Sequence, residues 1–285
     1  APVKKPALNV ALEQGELKAA LDIATHWVVQ EPEDVPALFY LSHIALKAHE
    51  YELAAETLDK ILMIDPNADL EQILAGISPE SQTDREVLLK TLSTSKEKDN
   101  PSILVLIAGL EAQNGQFDHA LITINRALRK RPKVTGFILM KANLLTVLGD
   151  EQETLKWYDK SSRKHRDNLE VRLAEAKYLI KLNQSETALK KLESILKKWP
   201  KQEEALFLAG LTSIDLKQYE DAEKFLVELR YSAQYQNDAY YYLAVNAERK
   251  QHFETAKAYY RLVDGNLYPV SRRSMINIFA QQNKL

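Results

Sequence analysis

The segment EEALFLAGLTSIDLKQYEDAEKFLVELRYSAQYQ, residues 203–236, holds two apolar patterns separated by a turn signal. Leu206, Ala209 and Gly210 are spaced by three and four residues, which places them on one face of a helix. Lys217-Gln218 then interrupts the pattern. A second helical pattern follows, with the small Ala222 and, one turn on, the large Leu226. The segment therefore predicts helix A, a tight turn and helix B. The small residue lets B approach A closely.

The rest of the chain repeats this unit. The small slot recurs as Ala20, Ala54, Ala120, Thr154, Ala188, Ala222 and Ala256, with successive spacings of 34, 66, 34, 34, 34 and 34. A spacing of 66 accommodates one unit of 34 and one of 32, so an uninterrupted array is expected. Four residues after the slot stand Leu58, Ile124, Tyr158, Leu192, Leu226 and Tyr260, with Ala24 as the small exception. Twelve residues after it stand Pro32, Pro66, Pro132 and Pro200. Proline stops a helix because its ring clashes with the preceding turn and it lacks an amide donor. Between A and B lie turn signals such as Gln14-Gly15, Asn114-Gly115-Gln116, Gly149-Asp150 and Asn183-Gln184-Ser185. A lone hairpin cannot bury its apolar face, whereas stacked hairpins share one continuous core.

The units predicted are 1–34, 35–68, 69–100, 101–134, 135–168, 169–202, 203–236 and 237–270, with a final helix over 271–283 read either as a cap or as the first half of a truncated unit. Unit 69–100 is degenerate: it keeps helical patterns over 69–77 and 83–94 but lacks the small slot. Pro2 and Pro6 are expected to shorten the first helix.

Residues 206–228 and 104–132 resemble the tetratricopeptide repeat, whose pattern runs from a large apolar residue through Leu-Gly, an aromatic and Ala to a further aromatic and Pro. The usual Trp is replaced here by Leu, Ile, Tyr or Arg172, and the Gly mostly by Ala or Ser42. The resemblance covers nearly the whole chain. It implies an all-α, right-handed superhelical solenoid of helix-turn-helix hairpins that holds protein or peptide partners. It also implies a concave groove lined by the A helices. Carried over by position, the lining comprises Phe39, Tyr40, His43, Asn143, Lys177, Lys181, Phe207, Leu211, Tyr241, Tyr242 and Arg249. One subclass grips terminal carboxylates with Lys and Asn one turn apart. Lys5 and Asn9 have that spacing, but the following repeats offer Tyr40 and the degenerate unit where further basic residues are needed, so chance spacing is the better reading.

Composition narrows the function. The formal charge is −2, but it is segregated: residues 1–100 carry 9 basic against 18 acidic groups, and residues 101–200 carry 18 against 11. Near-neutrality argues against wholesale nucleic-acid binding and leaves room for a local electrostatic site. With no cysteine, disulfides, thiolate metal sites and a cysteine nucleophile are excluded. The six histidines include no zinc-binding helical pair, and no phosphate-binding glycine loop or nucleophile elbow occurs. Neither catalysis nor a cofactor or metal is expected. No apolar run spans a membrane.

A basic ridge is expected along the B helices, because Arg129, Arg163 and Lys197 share one slot, Lys130, Lys164 and Lys198 the next, and Arg126 matches Lys160. At the other extreme of the array, eight of thirteen tyrosines fall between Tyr231 and Tyr268, which places the strongest grip there. Tyr240 and Tyr260 are read as core residues, and Tyr241 and Tyr242 as groove candidates. The array also resembles periplasmic lipoproteins of this repeat type from Gram-negative bacteria, tethered to the outer membrane as adaptors for envelope proteases or cell-wall enzymes. Ala1 in place of an initiator Met is read as the start of a processed or excised piece, with any lipid anchor upstream. A cytoplasmic co-chaperone-like protein and an assembly module working through edges and termini are the alternatives. Oligomeric state is left open.

Overall fold

The computed structural model describes residues 4–68, 70, 79 and 81–282. Among the described residues the regular structure is helical throughout, and the hairpins follow the sequence period. They are α1 (Lys4–Glu13) with α2 (Leu17–Gln30), α3 (Val35–Lys47) with α4 (Tyr51–Ile64), and, after α5 (Gln82–Thr94), α6 (Pro101–Gln113) with α7 (Phe117–Lys130). Then come α8 (Thr135–Val147) with α9 (Glu151–Lys164), α10 (Leu169–Lys181) with α11 (Ser185–Lys198), α12 (Glu203–Asp215) with α13 (Tyr219–Val227), α14 (Gln236–Arg249) with α15 (Phe253–Leu262), and the terminal α16 (Tyr268–Gln282). The helix expected over 69–77 lies outside the described residues, as does Asn283. The chain divides into two compact units, residues 1–154 and 155–285.

Among the described residues each A-to-B turn of a hairpin is built by one residue with left-handed backbone: Gly15, His49, Gly115, Gly149, Asn183, Lys217 and Gln251, with φ between 57° and 78°. These residues repeat the 34-residue spacing of the small slot. The residue that follows does two jobs. Its N–H reaches back to a helix-A carbonyl, as in Glu16 to Ala11 (2.9 Å), Gln116 to Glu111 (2.8 Å) and His252 to Ala247 (2.8 Å). This is the six-to-one bond that satisfies a carbonyl left over at a helix end. Its own carbonyl accepts the first bond of helix B, and the donor is the small-slot residue: Ala20 (3.0 Å), Ala120 (3.0 Å) and Ala256 (2.9 Å) in the same three units. The small slot is thus tied to the turn and buried against helix A. All seven of its residues are fully inaccessible, and the large residues four later are buried with them.

Gly210 shows how close the approach is. A Cβ there would sit 2.6 Å from Leu226 Cγ and 2.7 Å from Cδ2, and Leu226 has no exposed surface into which to move. Helices α2, α4, α7 and α11 each end two residues before Pro32, Pro66, Pro132 and Pro200.

In the first unit, hydrogen bonds carry the array past the degenerate repeat. The buried Asp59 of α4 accepts from Ser95 Oγ (2.5 Å) and from the backbone N–H of Lys96 (3.1 Å) and Glu97 (3.3 Å). Arg131 donates to Pro66 O (2.6 Å) and Asn67 Oδ1 (2.8 Å), and Ser102 Oγ donates to Ala68 O (2.9 Å).

Among the described residues the first helix is short, as expected, α1 having 10 residues against 13 in α3, and Pro6 falls in its first turn, where the missing N–H has no helical partner to lose. Two expectations change. The last helix begins at Tyr268, ahead of the expected 271, with Pro269 again in the permissive first turn. Tyr240 is half-buried and stacks on Tyr259 at 6.5 Å, while the fully buried position is the preceding Ala239.

Gly210→Ala should lower stability by about 1–3 kcal/mol through overpacking. Gly109→Ala, whose Cβ would meet only Met140 Cε at 4.0 Å, should gain about 0.5–1 kcal/mol of helix propensity. Denaturant midpoints read both, and equal signs would refute the packing account. At the turns, Gly115→Ala should cost about 1 kcal/mol while Lys217→Gly gains about 0.5–1 kcal/mol, since the left-handed conformation is costly only with a Cβ.

Candidate functional site

In the second unit, Ala205 and Ala209 of α12 and Ala239 and Leu243 of α14 turn inward and are buried. Successive helical residues point about 100° apart, so Phe207, Leu211, Tyr241 and Tyr242 are turned to the side and remain half-buried. The structure joins most of these into one aromatic row. Ring centroids are 5.1 Å apart for Tyr235–Phe207, 5.7 Å for Phe207–Tyr242, 5.1 Å for Tyr242–Tyr241 and 5.8 Å for Tyr241–Tyr260. The tilted and edge-to-face geometries match the quadrupole preference of aromatic pairs. Tyr260 anchors the buried end, and its hydroxyl donates to Glu248 Oε2 at 2.8 Å.

Sequence reasoning missed Tyr235. Helix α13 stops at Val227 after nine residues, the chain tightens into a 3-10 turn over Glu228–Tyr231, and Ser232 Oγ accepts the N–H of Gln234 (3.2 Å) and Tyr235 (3.0 Å). That loop brings Tyr235 onto Phe207. A signal was present: Gln234 stands where four other units carry the helix-stopping proline.

Charge around the row is mixed. Lys177, expected to be available to a partner's acidic groups, is in an ion pair with Glu204 instead. Lys181 and Arg249 are exposed and form no ion pair among the described residues. Burial raises the phenols of Tyr235 and Tyr242, reinforced by Glu204 at Tyr235 and by Tyr241, Asp238 and Asp215 at Tyr242. Burial and the Glu248 hydrogen bond raise Tyr260 further. These hydroxyls therefore stay protonated and able to donate at neutral pH.

In the first unit, Phe39 packs against the core, while Tyr40 stacks on Trp27 at 6.0 Å with the Lys5 ammonium 5.9 Å from its ring. His43 is half-buried and Asn143 exposed. Of the expected basic ridge, Arg129, Lys130, Lys160, Lys164 and Lys197 are exposed. Three of its charges are partly answered by neighbours: Arg126 by Asp99, Arg163 by Asp159 (2.8 Å) and Lys198 by Asp167. Among the described residues no group of three acidic or histidine side chains could hold a metal ion, and no helix is long and apolar enough to cross a membrane.

Comparison with known proteins agrees with the repeat. A tetratricopeptide repeat profile matches residues 11–77, and the profile of anaphase-promoting complex, cyclosome, subunit 3 matches residues 148–229. Both profiles describe repeats of the tetratricopeptide type, as the helix-turn-helix hairpins do, and that fold supports a protein–protein interaction scaffold. It is 22% identical over 270 aligned positions to cellulose synthase operon protein C of Pseudomonas fluorescens (strain SBW25), covering 76% of this chain and 21% of that protein. The chain thus spans about a fifth of the length of this curated relative. Among solved structures, yeast Tom70 aligns with a TM-score of 0.53 at 14% identity, covering 94% of this chain and 59% of that one. MamA from Desulfovibrio magneticus RS-1 aligns with a TM-score of 0.48 at 19% identity, covering 56% and 91%.

Because these phenols titrate higher folded than unfolded, their stabilising contribution is complete below about pH 10, the ordinary phenol value, and is lost as pH rises through the raised values. Urea midpoints should fall above that pH, and less steeply in Tyr235→Phe/Tyr242→Phe. An unchanged alkaline slope in the double variant would contradict the assignment.

Proposed function

We propose that the chain is a non-catalytic adaptor that grips a protein segment on the A-helix face of its second unit. The observation that carries this reading is the half-buried aromatic row Tyr235–Phe207–Tyr242–Tyr241. Tyrosine and phenylalanine offer broad contact area with little side-chain entropy to lose, and such residues dominate binding energy at protein interfaces. Lys181 and Arg249, both free of ion pairs among the described residues, supply cations for acidic groups on the bound segment, a role that Lys177 cannot take while paired with Glu204. Phe39, Tyr40, His43 and Asn143 would offer contacts of the same kind within the first unit.

The family resemblance supports an envelope setting, in which the partner is an envelope protease or cell-wall enzyme and the full-length protein is tethered to the outer membrane. The relative in Pseudomonas fluorescens supports a bacterial source. Fractionation of cells expressing the full-length protein separates this setting from a cytoplasmic one.

Photo-crosslinkers placed at Lys181 and Arg249 in the full-length protein should capture the partner, whereas crosslinkers at the B-helix positions Lys190 and Glu193 should not. With the partner identified, Phe207→Ala/Tyr241→Ala should weaken binding by about 2 kcal/mol or more while helical content holds. Unchanged affinity in a folded double variant would remove the site. Crosslinking confined to the termini would favour an assembly module.

A further inference from the structure

A second site, sharing no residue with the aromatic row, is a cleft of about 650 Å³ between α9, α10, α11 and the α9–α10 link. Its walls carry Arg163, Arg166, Arg172, Lys191, Lys197 and Lys198 against only two acidic residues, Asp167 and Glu175. The pairing leaves cations over. Glu175 is satisfied by Lys191 at 2.5 Å, and Lys191 also meets Asp159 at 3.3 Å. Asp159 further holds Arg163, and Asp167 holds Lys198. Arg166 and Lys197 form no ion pair among the described residues. Arg172 is bonded only to a neutral group, Ser194 Oγ at 2.8 Å, with its guanidinium 5.5 Å from the Trp199 ring. Burial pulls the Arg172 charge below its ordinary basicity, which Glu175 only partly offsets.

An independent feature points to a ligand. Ser162 lines the cleft, is only 7% exposed, and its Oγ has no hydrogen-bond partner. Serine hydroxyls within helices normally bond a carbonyl of the preceding turn, as Ser93 does to Leu89. A buried hydroxyl left unpaired is unfavourable unless something else accepts from it.

We propose that this cleft binds an acidic segment of a protein partner, its carboxylates held by Arg166, Arg172 and Lys197 and by the Ser162 hydroxyl. Guanidinium groups present planar forks that match carboxylates. The cations are spread over two helices and a link, which suits several carboxylates along a chain, and the indole of Trp199, already flanked by Arg172 and Lys198, offers apolar contact beside them.

The test is fluorescence anisotropy with a labelled twelve-residue peptide of three Glu-Glu-Leu-Asp repeats and the whole chain, across salt concentrations. Wild-type protein should bind with an affinity that falls as salt rises. Arg166→Glu/Lys197→Glu should weaken binding at least tenfold. Ser162→Ala should weaken it severalfold without lowering the melting temperature of the free protein, because it removes an unpaired hydroxyl and no charge. Phe207→Ala/Tyr241→Ala should bind this peptide normally, which keeps failure here distinct from failure of the aromatic site. The proposal is overturned if Ser162→Ala and the charge reversals bind like wild type. It is also overturned if inorganic phosphate or phosphatidylglycerol vesicles bind at this cleft while the peptide does not, or if the peptide binds only after the chain self-associates.

Discussion

Everything in this fold depends on a joint one residue long. The residue after each left-handed turn position closes helix A with its N–H and opens helix B with its C=O, so no spare backbone separates the two helices. Its carbonyl is claimed by the small-slot residue, and that same residue must fit against helix A with no accessible surface. Turn geometry and interhelical packing are therefore one constraint. A unit tolerates His49, Lys217 or Gln251 at the left-handed position because the joint is over-determined by the packing below it. It tolerates a degenerate neighbour because hydrogen bonds from Arg131 and Ser102 reach the carbonyls of Pro66 and Ala68.

From this joint the binding surfaces follow. With Ala205, Ala209, Ala239 and Leu243 committed to the core, the helical repeat leaves the intervening aromatics turned to the side. The short α13 then supplies Tyr235 from a loop that a full-length helix B would not have formed. Around α10 and α11, Asp159, Asp167 and Glu175 answer Arg163, Lys198 and Lys191, which leaves Arg166, Arg172 and Lys197 as the cations of the cleft without an ion pair among the described residues.

The periodic part of this structure was legible in the sequence because it depends on size at fixed spacing. Ala20 through Ala256 mark the burial, and the prolines mark where α2, α4, α7 and α11 stop. The expected groove residues Phe207, Tyr241 and Tyr242 do lie together in one row, but the spacing could not reveal Tyr235, whose position follows from an irregular loop. Nor could it reveal that Lys177 is occupied by Glu204, or that Arg172 stacks on Trp199. Those contacts join residues 27 positions apart in sequence through flexible side chains, and they depend on the rotation between neighbouring helices. The Tyr240 reading failed for a related reason: a helix face is about two residues wide, and the core took the small Ala239 in place of the larger ring.

The Arg131 contact bears on mechanics. In stacked repeats each hairpin ordinarily touches only its neighbours, so an array under tension yields hairpin by hairpin. Arg131 instead grips Pro66 and Asn67, some 65 residues back along the chain, passing over the whole degenerate repeat. That repeat is bracketed by its neighbours, and its flanks are loaded together when the chain is pulled. With the Ser102 bond to Ala68 and the Asp59 bonds to Ser95, Lys96 and Glu97, this contact fastens the helices on either side of the degenerate repeat directly to one another.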